Sequence, residues 1–456
     1  MTDLDRKVRD VEQAEELIRS LASALSARRI YSLQHPRVKK ALRTFAASLR
    51  TPSSGGPGAT RLRITVTGHA LEYEGMPLAE NTATLRLAMC LESVQCSGVE
   101  FTTAMTNDSV SELLELLLNA VPVPPEGKRL AGIELFPRGE EEDDDEEEDF
   151  PPLGEFEVPV LVYRAALDVL DQTMEQARAT HSIKMSEIEE VALWTAEETF
   201  SRGAQMVAPT QIMRQDKDTW QHSVNVFLIT TALLQPFARD PRELARFGQA
   251  AFLHDVGKSR VPRELLQKKE RLTNAEFEIM RRHPEHGVEI LASCPDVDPL
   301  SLEVAYCHHM RDDGHGYPAP FEGLRPGPVS DIVQVVDMFE ALTAPRPYKG
   351  GLSVAEAIRL ILGTEGMASK HPALGILVRR LTIAPPGSEI VLATGEHAIV
   401  LETQEDAPRR PIVKFITDEH GTPLLEPFAV DLAQQDDGTG PGPIRKVLLK
   451  PAYTNL

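Results

Sequence analysis

Apolar positions recur with two different periods along this chain, and the changes of period divide it. From Val11 to Leu25 the residues Leu17, Leu21 and Leu25 fall four apart, the spacing of one buried helix face. A second helix is expected from Tyr31 to Leu49, entered through His35-Pro36. After the glycine- and proline-rich loop Thr51 to Gly58, alternation at Leu62-Arg63-Ile64-Thr65-Val66, then Gly68-His69 and Leu71-Glu72-Tyr73, predicts a hairpin. Helical spacing returns at Leu85 to Leu91 and Val110 to Leu118. Residues 1–138 are therefore expected to form a small N-terminal α+β domain serving sensing or dimerisation, with His35 and His69 in turns or on the surface.

Residues 158–384 carry almost uninterrupted helical spacing and recognisable starts. Asp240-Pro241-Arg242-Glu243 offers an N-cap, a proline at the first helical position and a capping-box glutamate, and Thr273 to Glu276 and Ser353 to Glu356 repeat the box. Beyond Pro385-Pro386-Gly387 the period returns to two at Glu389 to Leu392, His397 to Leu401 and Ile412 to Ile416, so residues 385–456 are expected to form a small β extension, an open sheet or barrel. The fold class predicted is mainly α: a helical bundle with a small N-terminal α+β domain and a C-terminal β extension.

Charge adds one boundary and removes several functions. The formal net charge is −21, and ten acids stand in one run from Glu140 to Asp149, leaving −11 elsewhere. Ten like charges repel and bury nothing, so residues 139–157 read as a solvated acidic linker. An acidic surface argues against a nucleic-acid polymer or an anionic membrane as partner. No stretch reaches the roughly 20 apolar residues of a membrane span, and a cytoplasmic protein is expected. Cys90, Cys96, Cys294 and Cys307 have no finger or ribbon spacing and read as reduced, buried thiols.

The chemistry is concentrated in the helical region, where seven of the thirteen histidines fall between His222 and His315. Asp218 and His222 lie one helical turn apart. His254 and Asp255 end an apolar helix, His283 precedes a proline, His308 and His309 are adjacent, and Asp337 closes the apolar run Ile332 to Val336. A carboxylate in such a run is costly to bury unless a cation neutralises it, and imidazole beside carboxylate suits transition metals. His286 and His315 read as neighbouring or surface groups. Two cations sharing such ligands activate water and hold a phosphodiester for in-line attack, with Lys258, one turn beyond Asp255, neutralising phosphate charge.

His254-Asp255-Val256-Gly257-Lys258, then His308-His309-Met310-Arg311-Asp312-Asp313-Gly314-His315-Gly316-Tyr317-Pro318, then Asp337 through Lys349 resemble, in order, the three motifs of the HD-GYP family of metal-dependent HD phosphohydrolases. The resemblance spans roughly residues 158–381. It implies an HD-type bundle that hydrolyses cyclic di-GMP to linear pGpG or GMP with two or three divalent metals, iron or manganese. It implies metal ligands at Asp218, His222, His254, Asp255, His283, His308, His309 and Asp337, catalytic roles for Asp255 and Lys258, substrate contacts from Lys258, Arg346 and Lys349, and a signature loop at Gly316, Tyr317 and Pro318 that engages a diguanylate cyclase in some members. A homodimer is left open. The chain departs from the family at Met310, where glutamate is usual, and at Asp312, Asp331 and Glu340, where an aromatic residue, arginine and aspartate are usual. Met310 and Asp331 motivate a second reading, a catalytically weak or inactive member acting as a cyclic-dinucleotide receptor or interaction module.

Overall fold

A computed structural model describes residues 3–30, 32–49, 61–67, 70–79, 81–138, 156–213, 220–268, 270–319, 325–344, 351–404, 406–434 and 442–448. It divides into two compact units, Met1–Glu148 and Asp149–Leu456. The first contains α1 (Asp3–Ile30), α2 (Pro36–Ser48), β1 (Arg61–Thr67), β2 (Ala70–Tyr73), β3 (Met76–Pro77), α3 (Thr82–Ser93), β4 (Cys96–Thr102), α4 (Asn107–Leu118), β5 (Lys128–Leu130) and β6 (Ile133–Pro137). The expected hairpin is β1–β2, antiparallel with Ile64 opposite Tyr73. It belongs to a larger sheet of order β3-β2-β1-β4-β6-β5. In β4 the run Gly98 to Phe101 is buried on both faces, so it lacks the alternation that signals a strand. Leu62, Ile64, Phe101 and Leu135 share a core with the helices, and Phe45 meets Phe101 edge-on at 5.5 Å.

The second unit contains α5 (Glu157–Thr180), α6 (Met185–Arg202), α7 (Pro209–Ile212), α8 (Gln221–Leu234), α9 (Pro241–Phe252), α10 (Arg263–Leu266), α11 (Asn274–Met280), α12 (His283–Ala292), α13 (Pro299–Cys307), α14 (Pro328–Thr343), α15 (Val354–Leu362) and α16 (His371–Leu381). Then come β7 (Glu389–Leu392), β8 (His397–Glu402), β9 (Ile412–Thr417), β10 (Pro423–Asp431) and β11 (Ile444–Val447). The protein is thus mainly α: an α+β unit comes first in the chain, and the second unit is a helical bundle followed by a β extension. Capping boxes close at Thr273 and Ser353 as the sequence implies. Asp240 caps α9, but Glu243 turns back to the backbone and guanidinium of Arg239 instead of completing a box. The C-terminal strands form an open antiparallel sheet of order β10-β9-β8-β7-β11. All four cysteines are buried and none forms a disulfide.

Three helices give the site its frame. α8 is apolar nearly all round and buried from Ser223 to Leu234, packing on α9 and α14 through Val226, Ile229, Ala250, Val333 and Val336. A 3₁₀ turn, Val256–Arg260, follows α9 and lies so close to α12 that a Cβ at Gly257 would collide with the His283 carbonyl and sit 2.5 Å from the Gly287 nitrogen. That contact holds the His254 segment against His283. Gly375 in α16 is the opposite case, with open space where its Cβ would be. Gly257→Ala should lower stability by about 1–3 kcal/mol, whereas Gly375→Ala should raise it by about 0.5–1 kcal/mol; thermal unfolding of the two variants side by side checks both.

Candidate metal centre

Each sequence-predicted ligand among the described residues comes to one place in the second unit. Asp218, Arg346 and Lys349 lie outside the described residues, and α8 begins at Gln221, so the shared helical face of Asp218 and His222 is not observed. His222 stands in the first turn of α8, His254 and Asp255 in the turn after α9, His283 at the start of α12, His308 and His309 just past α13, and Asp337 in the middle of α14. Ligand atoms of His222, His254 and Asp255 fall within 4.8 Å of one another, as do those of His283, His308 and His309.

The imidazoles are aimed by the backbone. His254 Nδ1 donates to the Ala251 carbonyl at 2.7 Å, His283 Nδ1 to Met280 at 2.8 Å, and His308 Nδ1 to Val304 at 3.0 Å. A carbonyl only accepts, so each Nδ1 carries the proton and each Nε2 presents a lone pair inward. The Nε2 atoms of His283 and His308 then face each other at 3.1 Å with no proton between them. Asp255 Oδ1 lies 3.2 Å from His283 Nε2, and neither that oxygen nor His254 Nε2 has a hydrogen-bond donor. These groups are almost fully buried, His254 and His308 at 0% exposure. Converging lone pairs and a carboxylate in a dry interior repel one another unless a cation sits among them, so the donor set fits metal ions.

Charge states follow from the same geometry. Burial pushes His283 down to about 3 against the pull of Asp255, and burial with His254 nearby pushes His308 down to about 4. Burial, then His308, also drives His309 well below its ordinary value. Burial opposes the charged form of His222 too, but bonds to Asp337 and Glu340 overcome it and raise His222 to about 10. Burial would lift the Asp255 carboxyl, yet Lys258, His254 and His283 outweigh it and hold it well below the usual range. Lys258 Nζ donates to Asp255 Oδ2 at 2.5 Å.

Two partners escaped the sequence. His222 Nε2 meets Asp337 Oδ1 at 2.8 Å while Nδ1 is held by Glu340, whose other oxygen accepts from Asn225 at 2.8 Å; Asn225 in turn accepts from the Tyr163 hydroxyl at 3.1 Å. Glu340 had counted only as a departure from the family, but it lies three residues beyond Asp337, and Asn225 three beyond His222, the spacing of a shared helix face. The signature loop packs its Tyr317 ring on His309, centroids 4.5 Å apart, and the Tyr317 N–H donates to the His309 carbonyl at 3.1 Å. The departures are accommodated locally. Met310 is buried and its carbonyl accepts from Gln334 at 2.9 Å, Asp312 takes two bonds from Ser369, and Asp331 pairs with Lys370. His286 is partly buried on α12, and His315 is exposed beside Asp313.

Comparison with known proteins agrees with this geometry. Residues 212–368 match the HD domain, and residues 390–437 match the KOW domain associated with HD domain. A cyclic di-GMP phosphodiesterase of Pseudomonas aeruginosa is 31% identical over 229 residues, 50% of this chain and 55% of that protein. A cyclic di-GMP phosphodiesterase of Thermotoga maritima is 36% identical over 33% of this chain and 42% of its own length, and a 3'3'-cGAMP-specific phosphodiesterase (number 2) of Vibrio cholerae is 36% identical over 30% and 26%. The chain spans about half the length, or less, of these relatives. An HDG"Y"P protein of Bdellovibrio bacteriovorus with a solved structure aligns at a TM-score of 0.40 and 14% identity over 70% of this chain and 94% of its own, too distant to inform the site. Residues 212–368 of this chain thus carry an HD domain. HD-domain phosphohydrolases are metal-dependent, and the two triads are this chain's candidate sites.

The metal-stripped protein should show the titration of this cluster. Unfolded imidazoles charge near 6.5, whereas His283 and His308 wait until about 3 and 4, so the unfolded chain binds more protons in that window and stability falls as pH drops through it. His222 has the opposite sign: its contribution is complete below 6.5 and is lost as pH rises through about 10. Melting temperature after chelation should therefore peak near pH 6.5, and His222→Gln should flatten the alkaline limb. Glu340→Gln, which removes the carboxylate orienting His222, should weaken metal affinity about 10- to 100-fold at unchanged helicity, read by metal content after dialysis.

Proposed function

We propose that this protein is a metal-dependent phosphodiesterase that hydrolyses cyclic di-GMP to linear pGpG or GMP, using Asp255 and Lys258 beside two or three divalent ions, iron or manganese. The observation that carries the reading is the lone-pair cluster at His254, Asp255, His283 and His308, which has no use without cations. His222, His254, Asp255, His283, His308, His309 and Asp337 are the ligands proposed, with Asp218 a further candidate. Bound there, the ions supply Lewis-acid polarisation of the phosphodiester and of the attacking water.

The chain's own residues do the rest. Asp255, held ionised, spans the two triads, with Oδ2 3.2 Å from His254 Nε2 and Oδ1 3.2 Å from His283 Nε2. Lys258 stays protonated because its pairing with Asp255 offsets burial, so it brings a fixed positive charge to a phosphate placed beside Asp255. Arg346 and Lys349 are proposed as further phosphate contacts by their position in the family pattern. The domain limits proposed are 1–138 for sensing or dimerisation, 139–157 for the linker, 158–384 for catalysis and 385–456 for the β extension.

Substrate choice draws on the names of relatives, some acting on cyclic di-GMP and others on 3'3'-cGAMP. Purified protein loaded with iron or manganese should convert cyclic di-GMP to pGpG or GMP faster than 3'3'-cGAMP, monitored by chromatography. Absence of product with both triads filled would overturn the enzymatic reading in favour of a receptor. The double substitution His254→Ala with Asp255→Ala should abolish metal content and turnover together; retained metal would show the ligand assignment to be wrong.

A further inference from the structure

Next to the imidazoles lies a pocket of about 280 Å³ whose wall includes His309, so it begins where the metal triad ends. Its size is near the lower limit of small-molecule sites, room for one nucleotide unit more readily than for two. A cyclic dinucleotide presents one phosphodiester for cleavage at a time, and its other half must rest outside the donor cluster. This pocket adjoins that cluster directly.

The walls suit such a half. Phe277, exposed at 43%, stands edge-on to Tyr317 with ring centroids 6.0 Å apart, and the Arg281 guanidinium lies 5.6 Å from the Tyr317 ring centroid. Aromatic rings accept a base by stacking, and a guanidinium beside them adds charge for phosphate or a purine edge. Arg311 lines the same pocket, but it is committed to Asp313 and to the Glu365 carbonyl. The carboxylate partner of Arg281 is Glu278, three residues away at 3.0 Å with 65% of its side chain exposed, a pairing that water competes with readily. In a chain with 69 acidic and 48 basic residues, a cation presented to this wall with so weak a tie is placed for an anionic ligand.

We infer that Arg281, backed by Phe277 and Tyr317, receives the half of the cyclic dinucleotide remote from the scissile phosphate, and so selects dinucleotides over small diesters. This rests on the phosphodiesterase reading. It is tested with the metal-loaded full chain by two measurements: equilibrium binding of a non-hydrolysable cyclic di-GMP phosphorothioate, and turnover of bis(p-nitrophenyl) phosphate, which lacks a second nucleotide. Arg281→Ala and Arg281→Gln should each weaken dinucleotide binding about 10-fold or more while turnover of the small diester stays within about twofold, and Arg281→Lys should recover part of the binding. Unchanged dinucleotide affinity in both variants, no dinucleotide binding by the wild type, or an equal loss with both ligands would overturn the role of Arg281. Wild-type protein that binds the dinucleotide but hydrolyses neither substrate would refute the phosphodiesterase reading, and the binding comparison would still decide Arg281.

Discussion

The structure turns on a repulsion. Nε2 of His283 and Nε2 of His308 sit 3.1 Å apart, each a lone-pair donor because its other ring nitrogen is already spent on a carbonyl, and Asp255 brings negative charge to the same few ångströms. Nothing in an apolar interior tolerates that arrangement by itself. The packing of α9 and the turn after it against α12 and α13 creates it, so the bundle's core energy holds together groups that would otherwise separate. A bound cation converts that cost into stability, and folding and metal loading become coupled.

Around this point the charges are arranged in opposed pairs. His222 is held between Asp337 and Glu340 and keeps its proton until the solution is strongly alkaline, whereas His283 and His308 scarcely accept one at all. A cation taken up at His222 would therefore have to displace a proton, whereas one taken up at the other triad would not. Asn225 and Tyr163 extend the His222 chain into the core, so orientation at the edge of the site is tied to the packing of α5 against α8.

Much of this was legible in the sequence because the proposed ligands are punctuation. His254-Asp255 stops an apolar helix and Asp337 interrupts one, and each is expensive to bury without a reason, so periodicity alone singled them out. The hairpin of β1 and β2 and three of the C-terminal strands were readable because one face of each alternates. β4 escaped because most of it is buried on both faces, and β10 because most of it is not buried at all. Glu340 escaped for a different reason: its role depends on which way a helix faces another 118 residues earlier, and no local pattern reports that. The pocket wall at Phe277 and Arg281 is likewise made by α11 meeting a loop some 40 residues on.

The hydrogen bonds from imidazole Nδ1 to the carbonyls of Ala251, Met280, Val304 and Ala305 carry a consequence for divergence. A peptide oxygen is supplied by every amino acid, so no side-chain replacement at those positions can delete the anchor. At Met310 the usual acid is gone, yet the neighbouring ring at 308 keeps its aim, because its tether belongs to the chain's spine. A substitution at the rim of the cavity can therefore alter what it admits while the nitrogen cage beneath keeps its aim.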